Sequence, residues 1–413
     1  MKNLFCLLFS LLQVGVFAQW NIVPSGTVNN LKSVFFTSAD TGYAVGYSGT
    51  IIKTIDEGMT WSTLSSGTTE DLNSVFFTSS LTGYAAGNFG TLIKTSDGGA
   101  SWDSLSCGTA NSLRSVFFID ADTGYVAGDF GTILKTTNRG ALWTIWTEAS
   151  GKNFYTVYFV NAANGYTAGN YYVHPYASTD GTILRTNNYA NSWTNTDFDD
   201  GFNSLYFTSR DTGYAVGYYI HYFGAGHYDV GSIILKTTNG GTGWMTQASP
   251  DSNFLNSVYF TDANNGYAVG SAGTLIKTTN GGDYWAKQSS GTSMGLNSVR
   301  FTNDSTGYIA GDNGIILKTT NGGGFFVGLP SPSSKSNTLS ICPNPAKDEV
   351  TIETAAGRNN SRLSILNPCG QELFSLRVQG CRTLVDISAL PPGVYFVTVT
   401  DDLSVDIGKF VKQ

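Results

Sequence analysis

The chain reads as all-β: a seven-bladed β-propeller closed by an N-terminal strand, followed by a small C-terminal β-sandwich. Three observations predict this. A unit of about 40 residues recurs seven times, the length of a propeller blade of four short strands. The 413 residues include 49 glycines and only 13% charged side chains, a composition that suits many turns and short strands rather than helices or disorder. After residue 327 the repeat stops, Pro and Ser cluster, and a different alternating pattern begins.

Residues 1–18 look like a secretory signal. Lys2 supplies the positive start, Leu4 to Leu12 the apolar run, and Val16-Phe17-Ala18 a small-residue cleavage site. No other apolar stretch is long enough to span a bilayer, so no transmembrane segment is expected.

Residues 19–327 carry the repeat. Its anchor is a Gly-Tyr pair with tyrosines at 43, 84, 125, 166, 214, 267 and 308, spaced by 41, 41, 41, 48, 53 and 41 residues. In the copy from Leu72 to Trp102, Ser74 to Thr78 is a short apolar run that suits a strand buried on both faces. Gly83 to Gly87 follows, and its small residues predict a place near the ring axis, where blades converge. Thr91 to Thr95 is the third strand. A Ser-Asp-Gly-Gly turn leads to the fourth, which begins at Trp102. The tryptophans of that last position are Trp20, Trp61, Trp102, Trp143, Trp193, Trp244 and Trp285, one strand out of phase with the tyrosines. Phe326 stands where the last copy would have Trp, and Gly-Leu-Pro-Ser-Pro after it makes a poor strand. The stretch Gln19 to Thr27 is therefore expected to complete the seventh blade and remove the open edges.

Two copies break the pattern between their second and third strands. One carries Tyr171, Tyr172, His174 and Tyr176; the other carries Tyr219, His221, Tyr222, His227 and Asp229. Neighbouring blades would hold these insertions side by side. The connection bearing Asp199 and Asp200 emerges on the same face. All three histidines of the chain thus fall in one sector with many aromatics. Insertions in repeat proteins commonly form the binding face. Flat Tyr faces suit sugar rings or a protein partner. Two other readings stand beside this one. His174, His221, His227 and Asp229 could hold a metal, although their spacing follows no standard ligand motif. Alternatively, the loops merely cover each other.

The tail, residues 339–413 beyond a linker at 328–338, has its own strand pattern. It resembles the type A C-terminal sorting domain of the type IX secretion system of Bacteroidetes. The resemblance rests on Cys342-Pro343-Asn344-Pro345-Ala346, Asp386-Ile387-Ser388 and Pro392-Gly393-Val394-Tyr395, with Cys342 where the family usually has an aromatic. It implies Pro343, Asn344, Pro345, Gly393 and Tyr395 as sorting-motif residues. It implies the type IX machinery as a partner, and release or attachment at the outer cell surface.

The turns between third and fourth strands resemble Asp-box (BNR) turns, as in Thr54 to Trp61 and Thr95 to Trp102; later copies use Asn, as at Asn138, Asn239, Asn280 and Asn321. The whole repeat resembles the photosystem II stability/assembly factor propellers. The fold carries over from that resemblance; the photosynthetic role applies to phototrophs and does not. A box present in every copy reads as turn chemistry, with Asp or Asn capping and Trp packing. The cations at 53, 94, 135, 185, 236, 277 and 318 read as solvated strand positions. Cys107, standing where other copies have Ser25, Ser66 and Ser290, reads as a small filler. Cys342, Cys369 and Cys381 leave disulfide pairing open.

The formal net charge of −7 argues against nucleic acid as a partner. A secreted, non-catalytic module for a protein or glycan ligand, without a cofactor, is the first expectation. A glycosidase is the runner-up: Asp180, Asp199, Asp200 or Asp229 could supply a carboxylate pair. The propeller's arginines are too scattered in register for a sialidase-like cluster. A structural surface protein is the third possibility.

Overall fold

Short strands that alternate with glycine turns leave few ways to bury apolar side chains except by stacking sheets. The structure, a computed structural model, describes residues 20–147, 151–171, 180–222, 227–324, 339–354, 361–367, 372–378, 380, 382–400 and 405–413. It divides into two units, Met1–Gly323 and Gly324–Gln413.

The first unit contains four-stranded antiparallel sheets that follow one another along the chain, seven among the described residues. Sheet two shows the pattern: Leu72–Phe77, Gly83–Gly87, Leu92–Thr95 and Asp103–Ser104. Sheet seven draws Leu296–Phe301, Gly307–Gly311 and Ile316–Thr319 from the last copy. Its fourth strand comes from the other end of the chain. Asn21–Val23 pairs antiparallel with Ile316–Thr319, in the register Ile22↔Leu317. Trp20 is buried just before it, edge-on to Tyr267 and Phe301.

The radial order differs from the sequence expectation. The first strand of each sheet touches the first strand of the next, and the contacts return from sheet seven to sheet one. The first strand, not the small-residue Gly83–Gly87 strand, is therefore innermost. The small residues have another cause. The Phe36 ring lies across Gly42, so a Cβ there would come 2.5 Å from the ring edge; Gly46 faces the Asn30 carbonyl, where a Cβ would sit 2.0 Å away. The second strand is thin because its neighbours press on it.

Three concentric ties join the sheets. First, the serine of six inner strands accepts a backbone N–H from the next, the fourth inner strand having Thr156 there. Val75 donates to Ser33 Oγ at 3.3 Å, Val116 to Ser74 at 3.1 Å, and Val34 to Ser298 at 3.3 Å across the seam. Second, an aromatic circle surrounds the axis. Phe35, Phe76, Phe117, Tyr158, Tyr206 and Tyr259 follow one another with centroids 5.0–5.6 Å apart. Arg300 closes it, its guanidinium 5.4 Å from the Tyr259 ring and 4.8 Å from Phe35.

The third tie uses the Asp-box turns. Each holds two consecutive residues at positive φ, such as Gly98 (70°) and Gly99 (86°), which is why glycine recurs there. Asp97 caps the turn from within, accepting Ser101 N–H at 2.9 Å and Ser101 Oγ–H at 2.6 Å. The anchor tyrosine of the preceding sheet then donates to the turn's first carbonyl: Tyr43 to Gly98, Tyr84 to Arg139, Tyr166 to Gly240, Tyr214 to Gly281, Tyr267 to Gly322 and, across the seam, Tyr308 to Glu57. Four of the third-strand lysines, which the sequence suggests are solvated, are half-buried and share this tie, while Lys236 pairs with Asp283 instead. Lys53, Lys94, Lys135 and Lys277 donate to the same carbonyls at 2.7–2.9 Å while lying over the tyrosine rings. Cys107 substitutes for serine at its position, with Sγ 3.2 Å from the Gly90 carbonyl, where Ser290 Oγ reaches Gly273 at 2.7 Å.

In the second unit, Ser340–Cys342, Glu349–Glu353 and Arg382–Asp386 form one sheet. Glu372–Arg377, Arg362–Leu366, Gly393–Thr400 and Val405–Lys412 form another. Val350, Ile352 and Val385 of the first share a core with Leu363, Ile365, Val397, Val399 and Phe410 of the second. The predicted sorting residues gather on the last strand. Asn344 clamps it, donating to the Lys409 carbonyl at 3.1 Å and accepting Val411 N–H at 2.9 Å, with exposed Pro343 and Pro345 on either side. Gly393 pairs with Lys412, and the Tyr395 ring stacks on Phe410. Cys342 is exposed and has no disulfide among the described residues; Cys369 and Cys381 lie outside them.

Candidate functional site

The inner strands begin, and the second strands end, on the face opposite the Asp-box turns. There the two irregular copies build tall hairpins. In sheet four, Gly165–Tyr171 and Asp180–Thr186 pair out to Tyr171↔Asp180; sheet five has Gly213–Tyr222 and Tyr228–Thr237 in the same places. In sheet five the ladder runs through Tyr219↔Gly231 and His221↔Asp229 to Tyr222↔Tyr228. The extra length comes from ordinary strand chemistry: alternating Tyr, Ile and Val keep the ladder paired beyond the sheet's edge.

The hairpins touch. Asn170 donates to the Tyr218 hydroxyl at 2.6 Å. His221 Nε2 lies 3.5 Å from Asp200 Oδ1, a long electrostatic contact. Burial raises the Asp200 carboxyl above its ordinary range, and the facing His221 opposes that shift. Tyr219 stacks on His221 with centroids 5.0 Å apart, and Tyr222 lies 5.0 Å from Tyr228. At the foot of sheet four, Lys152 pairs with Asp197 and holds that carboxyl below its ordinary range. Beside this pair opens a hollow of about 390 Å³ lined by Lys152, Tyr171, Asp180, Asp197, Phe198 and Asp199.

Thus Tyr171, Asp199, Asp200, Tyr219 and His221 share the sector the sequence indicates, while Tyr222, His227 and Asp229 lie at or next to the hairpin end. Tyr172, His174 and Tyr176 lie outside the described residues. Among the described residues, no group of His, Cys, Asp or Glu is arranged to hold a metal.

A further feature of this face has no local motif in the sequence. A cavity of about 280 Å³ opens on the axis, lined by the residue after the leading Leu or Phe of every inner strand: Lys32, Asn73, Arg114, Tyr155, Asn203, Asn256 and Asn297. Tyr47, Asp71 and Asn88 complete it. A backbone bulge follows the buried first residue of the inner strand, as between Leu72 and Ser74, and sets this position apart from the regular alternation. The signal is legible once the copies are aligned. The residue after the leading Leu or Phe is charged or an asparagine in six copies and Tyr155 in the other. Four of the asparagines stitch neighbouring sheets: Asn73 donates to Leu113 O, Asn203 to Leu255 O, Asn256 to Leu296 O and Asn297 to Leu31 O, at 2.8–2.9 Å.

Comparison with known proteins agrees with this geometry. Residues 12–110 and 236–331 match the family model of the photosynthesis system II assembly factor YCF48. Residues 340–413 match the secretion system C-terminal sorting domain, which indicates secretion to the cell surface or exterior. The stretch between the two YCF48 matches carries both tall hairpins. No curated protein matches. Among solved structures, YCF48 bound to a D1 peptide superposes with a TM-score of 0.57 at 18% identity, covering 74% of this chain and 98% of that one. YCF48 from Cyanidioschyzon merolae gives 0.58 at 17%, covering 73% and 98%. PorZ, an essential bacterial surface component of the type IX secretion system of Porphyromonas gingivalis, gives 0.50 at 12%; the match covers 91% of this chain and 58% of that protein. At these identities the likeness is one of fold. Among the described residues, no helix is long and apolar enough to cross a membrane, which says nothing of strands.

Proposed function

We propose that this chain, a YCF48-like propeller joined to a secretion-system sorting domain, is a secreted, non-catalytic binding module. In this reading the seven sheets are the blades of a closed propeller, and the two sheets of the tail form a β-sandwich that the type IX machinery handles. The partner is a protein or glycan, held on the face of the tall hairpins. One observation carries the reading: the hairpins of sheets four and five meet at Asn170–Tyr218, and the connection between the two sheets joins the second hairpin at Asp200–His221, on the face where the axial cavity opens. Elsewhere the anchor tyrosines and several third-strand lysines are already used between sheets, and the Asp-box tryptophan N–H groups are buried, so those rings have little left to offer a ligand. A YCF48 structure holding a peptide supports the capacity of such a ring to hold a chain segment.

The test is a binding screen of the full chain against polysaccharides and extracellular proteins. A second form has both hairpins cut to the short turns of the other sheets. A partner that binds the first form and not the second supports the reading. Equal binding by both removes it. The glycosidase alternative draws on the raised Asp200 carboxyl, a suitable proton donor. Release of reducing sugar that disappears in Asp200→Asn would establish that alternative instead.

A further inference from the structure

We propose that the axial cavity is a subsite for a single neutral sugar unit, such as the exposed end of a glycan. The inference rests on the reading that the hairpin face binds, and adds the class of ligand.

The charges around the cavity disfavour charged ligands. Arg114 is engaged by Asp129 through two hydrogen bonds, Nε to Oδ1 at 2.9 Å and Nη2 to Oδ2 at 2.7 Å. Lys32 lies over the Tyr47 ring at 4.8 Å and 3.7 Å from Asp312. A carboxylate or phosphate would compete with Asp129 and Asp312 for these two cations. A cation meets the same two positive groups at the wall. Asp71 accepts Ser48 N–H at 2.9 Å and Asn88 Nδ2 at 3.3 Å, and Asp312 accepts Asn297 Nδ2 at 2.9 Å. The acids, too, are already satisfied.

What remains is neutral and directional. Asn203 and Asn256 spend their Nδ2 groups on neighbouring carbonyls. Among the described residues their Oδ1 atoms accept no hydrogen bond, so they can receive hydroxyl protons. Tyr155 and the Tyr47 face turned away from Lys32 are aromatic surface for the C–H side of a pyranose, Tyr47 being 38% exposed. The volume of about 280 Å³ sits at the lower end of ligand pockets and suits one ring rather than a polymer segment.

The experiment titrates the full chain with glucose, galactose, mannose and N-acetylglucosamine, with acetate and lysine amide as charged probes. Binding is followed by saturation-transfer NMR and calorimetry at low and high salt. Tyr47→Ala and Tyr155→Ala are compared with the native chain and with the hairpin-trimmed form, and thermal midpoints check folding. The expected result is that one neutral sugar binds without salt dependence, weakens roughly tenfold in each tyrosine variant, and still binds the trimmed form. A stronger response to acetate or lysine amide overturns the inference, as does sugar binding indifferent to both tyrosines. Failure of every sugar overturns it as well. If a macromolecular partner still binds in a hairpin-dependent way, the wider reading of the face stands; if none does, that reading falls too.

Discussion

The Tyr43 hydroxyl donates to the Gly98 carbonyl 2.8 Å away, one sheet further round the ring, and Lys53 donates to the same oxygen at 2.8 Å. That oxygen is a joint between sheets with two donors. Tyr43→Phe leaves the lysine in place and should cost about 1 kcal/mol. Lys53→Met leaves the tyrosine and should cost a similar amount. The double variant strands a buried carbonyl, so its loss should exceed the sum by about 1 kcal/mol or more. Denaturant unfolding of the four forms checks this; strict additivity would show that the two bonds act independently.

Trp20 and Leu317 define the seam. Trp20→Ala removes a buried indole from the pocket of Tyr267 and Phe301 and should cost about 3–5 kcal/mol. Unlike the same change at Trp102, it should also loosen the three-residue strand Asn21–Val23. Hydrogen exchange at Ile316 and Leu317 should then accelerate selectively. Equal exchange in the two variants would mean that the N-terminal strand does not depend on its tryptophan.

Arg300 is the one cation in a circle of six aromatics. Arg300→Phe supplies a seventh ring of the type the other sheets use and should keep or raise the thermal midpoint. Arg300→Ala removes both stacking contacts and should lower stability by about 1–2 kcal/mol. A loss in Arg300→Phe as large as that in Arg300→Ala would point to a specific need for the charge.

The anchor tyrosines predict the alkaline limit of the fold. Burial pushes the phenols of Tyr84, Tyr125 and Tyr214 up to about 12. The unfolded phenol releases its proton near 10. The folded form thus holds more protons between those values, so stability is complete below about pH 10 and falls as pH rises towards about 12. Phenolate absorbance and circular dichroism should change together, cooperatively, in that window. Smooth ionisation near pH 10 with the sheets intact would contradict the burial argument.

Much of this was legible in the residues, for identifiable reasons. The Gly-Tyr spacing and the Thr-x-Asp-x-Gly turns gave the sheets and their hairpins, because turn geometry is local. The out-of-phase Trp20 indicated the borrowed strand. The radial order was not legible: a period shows which residues are equivalent, not which lie near the axis, and Gly42 is small on account of the Phe36 ring rather than crowding at the centre. The lysines looked solvated because their acceptors, such as Gly98 and Gly322, lie in another sheet. The axial cavity escaped notice because Lys32, Arg114 and Tyr155 share nothing with the asparagines except their register. The hairpin sector was visible as broken repeats, but the Asp200–His221 contact joins a connection to a hairpin and has no local signature.

The central claim is that the hairpin face is the working face. Hydrogen exchange of the full chain, with and without a partner from the screen, tests it most directly. The account predicts protection at the sheet-five hairpin, from Tyr218 to Tyr222 and from Tyr228 to Gly231, and at the openings of the inner strands near Lys32 and Asn203. Protection confined to the opposite face, at the Asp-box turns from Asp56 to Trp61 and from Asp97 to Trp102, would contradict it.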